Sequence, residues 1–179
     1  MSQSHHLNSQ KDNQKNSPVF LVGFMGAGKT TVGRALAEYL EYAFLDLDQL
    51  IEERSGSSVQ TIFAELGEPE FRRLEHDAIR ACTGLSRSVI ALGGGAYASE
   101  ENRSLVRTMG KAIWLDCPLE TCLRRIGGDK SRPLLGDLHQ MHELLEIRRA
   151  GYSQADIVVQ TGELTPDQLV MEIASMLRS

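Results

Sequence analysis

The residues best suited to do chemistry lie in one short glycine-rich stretch near the start of the chain. Residues 23–30 read Gly-Phe-Met-Gly-Ala-Gly-Lys-Thr and fit G-x-x-x-x-G-K-[ST], the pattern of a phosphate-binding P-loop. Glycines there let backbone N–H groups turn toward an anion, and the N-terminus of a following helix adds partial positive charge. We expect Lys29 to reach the β- and γ-phosphates of a nucleotide and the Thr30 hydroxyl to bind Mg²⁺. A chance glycine-rich turn is the alternative.

The segments on either side of this stretch have the patterns that a P-loop needs. Residues 18–22 form a short apolar run between a proline and a glycine, which predicts a strand. In residues 31–40, Val32, Leu36 and Leu40 fall on one face of a helix. Because the order strand, loop, helix is the context that the motif requires, a chance match is disfavoured.

Two carboxylates, Asp46 and Asp48, close the next apolar run, and residues 42–48 predict a buried strand that ends in them. Residues two apart at a strand end can share a face. Phosphoryl transfer needs Mg²⁺ near the phosphates and a group that orients the attacking hydroxyl. We assign Asp46 to the metal and Asp48 to the substrate hydroxyl. The alternative is a strand exit with a helix N-cap, because Asp48 precedes a predicted helix.

An arginine and a run of glycines further along the chain are candidates for binding an acceptor. Arg72 and Glu75 are three residues apart on a predicted helix, so the two side chains can be neighbours. They form either a surface ion pair or an arginine held in place for an anionic substrate. Residues 93–95 are all glycine. This run allows close approach of the backbone to a ligand, with a plain tight turn as the alternative.

Residues 125–139 combine arginines with flexible glycines, which predicts a mobile lid. Such a lid can close over ATP, exclude water and bring positive charge to the transferred phosphoryl group. Arg125 and Arg132 are the candidates for that charge. The alternative is that one or two of the arginines in this loop are merely solvated.

Strands alternate with helices along the chain, which predicts an α/β fold with a parallel sheet and right-handed crossovers. The predicted strands cover residues 18–22, 42–48, 88–92, 111–116 and 155–159, and two helices before the third strand cover residues 59–66 and 68–83. Ligands in such sheets bind beyond the carboxyl ends of the strands. The P-loop, the two aspartates and the glycine run should therefore converge on one crevice.

Length and composition predict a soluble protein with one folded domain. The chain has 179 residues, of which 41% are hydrophobic and 24% are charged, and its formal net charge is −5. We expect a disordered tail over residues 1–17 and a single domain over residues 18–179, with a substrate-binding insert at about 47–80. The negative charge argues against nucleic-acid binding, and the lack of a long apolar run or signal core argues against a membrane span or secretion. Three cysteines suit a reducing cytosol and are interpreted as small hydrophobic residues, and a monomer is the default.

Taken in order along the chain, these residues resemble the motifs of the shikimate kinase family. The resemblance runs from about Val19 to Leu177. It rests on the P-loop continued to Gly33, Asp46-Leu47-Asp48, Gly67-Glu68 with Phe71-Arg72 and Glu75, Leu92-Gly93-Gly94-Gly95, Arg132-Pro133-Leu134-Leu135, and Arg148 four residues before Tyr152. Each feature alone is modest, whereas all of them in this order are highly specific.

The resemblance implies a three-layer P-loop kinase fold, similar to that of nucleoside monophosphate kinases, with a five-stranded parallel sheet and a mobile lid. It implies that ATP, with Mg²⁺, phosphorylates the 3-hydroxyl of shikimate to give shikimate 3-phosphate and ADP, a step toward chorismate and the aromatic amino acids. The resemblance implies that the catalytic residues are Asp48, Lys29 and Arg132, and that Mg²⁺ is bound by Thr30 and Asp46. The residues expected to bind ATP are Gly26, Ala27, Gly28, Lys29, Thr30, Thr31, Arg125 and Arg132. Those expected to bind shikimate are Asp48, Arg72, Gly93, Gly94, Gly95 and Arg148. Arg72 and Arg148 are expected on the shikimate carboxylate, because guanidinium forks suit a planar carboxylate.

Two other activities stay open at the level of the residues. A gluconate kinase or nucleotide kinase of the same fold is the nearest rival, although a nucleotide acceptor would need a base pocket. A P-loop switch without phosphoryl transfer would not require Asp48 or the arginine-bearing lid. The chain also departs from the family at Ala150-Gly151, where members often have Pro-Leu, and at residues 160–162, where no adenine-binding side chain is assigned.

Overall fold

Five parallel strands form the centre of the structure, which is a computed structural model that describes residues 16–126 and 138–178. The strands are β1 (Val19–Val22), β2 (Ala43–Asp46), β3 (Ser88–Ala91), β4 (Lys111–Asp116) and β5 (Ile157–Gln160). Their order in the sheet is β2-β3-β1-β4-β5, and each neighbouring pair is parallel. The predicted α/β fold with a five-stranded parallel sheet is confirmed.

Helices connect the strands, because parallel strands can be joined only by long crossovers. In chain order they are α1 (Lys29–Leu40), α2 (Leu47–Ser55), α3 (Val59–Arg80), a 3₁₀ helix (Ala96–Ala98), α4 (Glu100–Met109), α5 (Leu119–Ile126), α6 (Leu138–Tyr152) and α7 (Pro166–Arg178). Helix α1 packs against the sheet and against α7, and α6 packs against the 3₁₀ helix. Among the described residues, no helix is both long enough and apolar enough to span a membrane.

The three inner strands are more buried than the edge strand β2. All residues of β1 and β3 are buried, as expected for strands covered on both faces by helices. In β2, Ala43 is exposed and the other residues are half-buried, because this strand pairs only with β3. The prediction of a buried strand over residues 42–48 is therefore wrong in burial and in length.

The second strand ends two residues earlier than predicted, and this moves Asp48 from the strand into a helix. Strand β2 ends at Asp46, and α2 begins at Leu47. The Asp46 side chain accepts a hydrogen bond from the Asp48 backbone N–H, so Asp46 is the N-cap of α2. The alternative interpretation, in which an aspartate at the end of this strand caps the next helix, is correct, but the capping residue is Asp46 rather than Asp48.

The two helices predicted before β3 together form α3, which is interrupted at a single non-helical residue. Gly67 has φ 80° and ψ 170° within α3, a conformation that is not helical and that glycine adopts without a steric cost. Pro69 follows at the start of the second part, where a missing N–H is tolerated. The break therefore falls at the boundary that the sequence predicted.

Some predicted features fall outside the part of the chain that the structure describes. They are most of the tail (residues 1–15) and most of the lid (residues 127–137), which includes Arg132 and the Arg132-Pro133-Leu134-Leu135 run. Arg125 lies within the described residues, at the end of α5.

Candidate active site

The P-loop adopts a backbone that only its glycines permit. Gly23, Gly26 and Gly28 have φ of 142°, 76° and 97°, in the region that disfavours other residues. A Cβ on Gly26 would also lie 2.6 Å from the Cys122 carbonyl oxygen, at the α5 backbone. The loop is thus tightly packed between the end of β1 and α5, and it leads directly into the N-terminus of α1 at Lys29.

Lys29 places its ammonium group on the P-loop itself. Its Nζ donates hydrogen bonds to the carbonyl oxygens of Gly23 and Phe24, both at 2.9 Å. The first turn of α1 contains no acidic side chain. The ammonium group and the helix N-terminus therefore both favour an anion at this loop.

Thr30 and Asp46 bring two side-chain oxygen groups together beside the P-loop. The Thr30 hydroxyl donates to Asp46 Oδ2 at 2.8 Å, while Asp46 Oδ1 accepts from the Asp48 N–H at 3.1 Å. No group of three or more His, Cys, Asp or Glu side chains in the described ranges could hold a metal ion. Mg²⁺ is commonly held by one or two side-chain oxygens together with substrate phosphates and water, so this donor pair fits the ion.

Arg72 and Glu75 form a partly buried ion pair on α3. Arg72 Nη1 lies 2.9 Å from Glu75 Oε2, and Arg72 Nη2 lies 3.0 Å from Glu68 Oε1. Only 1% of the Glu75 side chain is exposed, so the interpretation as a surface ion pair is wrong for this partner. Burial raises the pKa of Glu75, and the Arg72 charge counteracts that rise without cancelling it.

The glycine run after β3 is the point at which these side chains meet. A Cβ on Gly93 would lie 2.8 Å from both Asp48 Oδ1 and Glu75 Oε1. A Cβ on Gly95 would lie 2.5 Å from Arg72 Nη1. The sequence predicted that the glycines let the backbone approach a ligand closely. In the structure, the groups that lie close to this backbone are side chains of the same chain, those of Asp48, Glu75 and Arg72.

Arg148 reaches the same run from α6. Its Nη1 would lie 3.4 Å from a Cβ on Gly94, and its guanidinium carbon lies 5.6 Å from the centre of the Phe24 ring, within the P-loop. Arg148 thus lies between the P-loop and the glycine run. The structure brings together Lys29, Thr30, Asp46, Asp48, Arg72, Arg125, Arg148 and the two glycine segments, and it does not describe Arg132.

The sequence missed the side chains that hold the backbone after the glycine run. Tyr152 donates a hydrogen bond from its hydroxyl to the Gly94 carbonyl oxygen. Asn102 donates from Nδ2 to the Ala96 carbonyl oxygen at 3.0 Å, and its Oδ1 accepts from Nδ1 of His76 on α3 at 2.8 Å. No local spacing marks these contacts, because the partners are far apart in the chain.

Arg125, which was predicted to act on ATP, also contacts Cys117, and the sequence did not predict this second contact. Arg125 Nη1 donates to the carbonyl oxygens of Gly26 and Ala27 at 3.4 and 3.3 Å, and it lies 3.6 Å from Cys117 Sγ. A hydrogen bond from the Cys122 thiol, with a smaller contribution from Arg125, lowers the pKa of Cys117 to about 6. Cys117 and Cys122 are both buried, in agreement with their interpretation as small hydrophobic residues.

Comparison with known proteins points to one family. The family model described as shikimate kinase matches residues 25–178. The shikimate kinase of Persephonella marina is 45% identical over 161 residues, which are 89% of this chain and 98% of that protein. The structure of Acinetobacter baumannii shikimate kinase in complex with shikimate has a TM-score of 0.87 at 36% identity and covers 94% of this chain and 96% of that one. The crystal structure of Aquifex aeolicus shikimate kinase has a TM-score of 0.81 at 38% identity, with 90% of this chain and 96% of that one covered.

Proposed function

The chain belongs to the shikimate kinase family, and from this premise we propose which of its residues carry the reaction. The protein is an ATP-dependent kinase that phosphorylates the 3-hydroxyl of shikimate and releases shikimate 3-phosphate and ADP. This reaction is a step in the biosynthesis of chorismate and the aromatic amino acids.

One observation carries the assignment of the acceptor site: two guanidinium groups and one carboxylate meet at the glycine run beside the P-loop. Arg72 approaches Gly95, Arg148 approaches Gly94, and Asp48 approaches Gly93. Two planar guanidinium groups suit a substrate that carries a carboxylate, and a carboxylate suits a substrate that presents a hydroxyl. We assign Arg72, Arg148 and the run 93–95 to shikimate, with the arginines on its carboxylate.

Asp48 is proposed to orient the attacking hydroxyl and to accept its proton. It lies in the first turn of α2, two residues after Asp46, and its Oδ1 approaches Gly93. The transition state of phosphoryl transfer is loose, so alignment of the hydroxyl matters as much as the basicity of the carboxylate.

The nucleotide is assigned to the P-loop and to Arg125. Residues 26–31 present the loop and the start of α1, and Lys29 brings a positive charge to the transferred group. Arg125 already contacts the loop carbonyls, and Arg132 is proposed to act from the lid. Thr30 and Asp46 would hold Mg²⁺, which supplies positive charge next to the phosphates when it is bound.

The remaining assignments concern the whole chain. We propose that residues 18–179 form one kinase domain with the substrate-binding insert at about 47–80, and that the chain acts as a monomer in the cytoplasm. Three free cysteines support the location, since thiols persist in a reducing compartment.

A substrate comparison tests the function, and a matched pair of variants tests the site. ADP release is measured with shikimate, gluconate and AMP as acceptors, and we expect turnover with shikimate alone. Arg72→Lys keeps the charge but loses the fork, so shikimate KM should rise about tenfold. Arg73→Lys is the control, because exposed Arg73 pairs with Glu70 and Asp77 and should leave KM unchanged. Turnover with another acceptor, or ADP release without one, would contradict the proposed function, and equal effects of the two variants would contradict the site.

A further inference from the structure

We propose that Tyr152 is a positioning residue of the acceptor site, whose hydroxyl fixes the Gly94 carbonyl and the Arg148 guanidinium relative to each other. This inference rests on the role proposed above for Arg148. It adds a residue that does not contact the reacting atoms but decides where a substrate-binding arginine lies.

The Tyr152 hydroxyl lies between two groups that belong to different elements. It donates a hydrogen bond to the carbonyl oxygen of Gly94, which follows β3. The Arg148 guanidinium, one turn earlier on α6, approaches the same glycine, since its Nη1 would lie 3.4 Å from a Cβ on Gly94, and it interacts electrostatically with the Tyr152 hydroxyl. A phenol oxygen that donates to Gly94 keeps lone pairs that can accept from a guanidinium, so this one atom is placed to join both partners.

The surroundings of Tyr152 keep this arrangement fixed. The side chain is fully buried, and its ring lies 5.8 Å from the ring of Trp114 on β4. Burial raises the pKa of Tyr152, although Arg148 opposes the rise, so the hydroxyl keeps its proton and remains a donor at neutral pH.

Gly151 explains how α6 comes close enough for this contact. A Cβ on Gly151 would lie 2.7 Å from the Tyr97 carbonyl oxygen and 3.0 Å from Ala98 Cα, so any side chain would push α6 away from the 3₁₀ helix. Arg103 holds the 3₁₀ helix from its other side, since its Nη1 donates to the Tyr97 and Ala98 carbonyl oxygens at 2.9 and 2.7 Å. The 3₁₀ helix after the glycine run therefore packs between α4 and α6, and Tyr152 of α6 contacts the glycine run at Gly94.

Loss of the hydroxyl should affect binding of the acceptor and leave the nucleotide site intact. Tyr152→Phe keeps the ring and its contact with Trp114 but frees Arg148 and the Gly94 carbonyl. We expect shikimate KM to rise about fivefold, as for loss of one ordinary hydrogen bond, while kcat and the KM for ATP stay within about twofold. Tyr97→Phe is the matched control. Tyr97 is equally buried, and its hydroxyl reaches only the Gln154 carbonyl at 3.5 Å among the contacts described, so its shikimate KM should not change.

A double-mutant cycle with Arg148→Lys separates positioning from a general structural effect. Arg148→Lys alone should raise shikimate KM about tenfold or more, since the charge stays and the fork is lost. In that background Tyr152→Phe should change KM by less than about twofold, because the group that it positions is gone. Equal effects of Tyr152→Phe in both backgrounds, a rise in the KM for ATP, or a similar effect of Tyr97→Phe would overturn the inference.

The outcomes also distinguish this inference from the function on which it rests. If Arg148→Lys raises shikimate KM and Tyr152→Phe does not, only the role of Tyr152 is wrong. If Arg148→Lys itself has no effect, the assignment of Arg148 is wrong. Melting temperatures are measured for all variants. Should Tyr152→Phe not fold, Gly151→Ala gives the test, since it displaces α6 and keeps the hydroxyl, and an unchanged shikimate KM would overturn the inference.

Discussion

Replacing Glu75 by glutamine tests how the acceptor site holds Arg72. Glu75 is buried, its Oε2 accepts from Arg72 at 2.9 Å, and its Oε1 has no hydrogen-bond partner in the described part of the chain. The glutamine side chain has the same size and can still accept one hydrogen bond through its amide oxygen. The substitution therefore removes the negative charge and leaves the packing in place.

The size of the effect follows from the change in that one hydrogen bond. A hydrogen bond between charged groups contributes about 1.5–3 kcal/mol, roughly twice as much as a neutral one. The Arg72 guanidinium should thus lose about 1 kcal/mol of positioning free energy, which corresponds to a rise of about fivefold in shikimate KM. The KM for ATP should not change, because Lys29 donates to the P-loop carbonyl oxygens of Gly23 and Phe24, whereas Glu75 accepts from Arg72 at the acceptor site.

Stability should respond to pH in the opposite sense from an ordinary ion pair. Burial raises the pKa of Glu75 above its usual 4.5, and the positive charge of Arg72 counteracts this rise only in part. For a carboxyl with a raised folded pKa, the stabilising contribution is complete below the unfolded pKa and is lost as the pH rises through the folded pKa. Wild type should therefore lose stability relative to Glu75→Gln as the pH is raised from about 4.5, and the difference should level off above the folded pKa.

Two measurements on matched variants check this reasoning. Shikimate KM comes from the coupled ADP assay, and the pH dependence of stability comes from melting temperatures across that range. Glu70→Gln is the control on the same helix, because Glu70 pairs with Arg73 at the surface and should leave shikimate KM unchanged. An unchanged KM in Glu75→Gln, or an equal rise in Glu70→Gln, would show that the buried charge does not position Arg72.

Further predictions concern the P-loop, the two aspartates and the glycine run. Lys29→Ala should nearly abolish ADP release at an unchanged melting temperature, and near-wild-type turnover would exclude the proposed P-loop role. Asp48→Asn should lower kcat by on the order of 10²–10⁴ with ATP binding intact, while the loss in Asp46→Asn should be partly offset by higher Mg²⁺. A magnesium titration of both variants tests these roles. If higher Mg²⁺ restores the activity of Asp48→Asn but not that of Asp46→Asn, Asp48 binds the metal and Asp46 orients the hydroxyl. Gly93→Ala should lower kcat about tenfold or more, because its Cβ would lie 2.8 Å from Asp48 Oδ1 and Glu75 Oε1, and kcat equal to wild type would contradict this contact.

The sequence alone determined the sheet and the segments that meet at its edge. Residues 111–116 were predicted as a strand and form β4, and the run 18–22 contains β1. These elements are encoded locally, by short apolar runs that a glycine, proline or charged residue ends. Because the carboxyl ends of parallel strands lie at one edge, the strand pattern also predicted that the P-loop, Asp46 and the glycine run lie close together.

The boundaries of the elements near the site were predicted less accurately than the elements themselves. Strand β2 was predicted to continue to Asp48, because residues 42–48 were interpreted as one apolar run that ends in two carboxylates. The structure ends the strand at Asp46, whose side chain caps α2. An aspartate between an apolar run and a helix can serve either element, and the pairing with β3, which ends at Ala91, decides between them.

Only the tertiary structure decided which side chains are buried and which polar atoms they meet. The spacing of Arg72 and Glu75 predicted a contact, but burial of Glu75 against Gly93 comes from packing α3 on the glycine run. Tyr152 and Gly94 are 58 residues apart, and Gly151 matters because α6 packs on the 3₁₀ helix. The strength of such contacts depends on desolvation and on neighbours that folding brings from distant parts of the chain, so no local pattern specifies them.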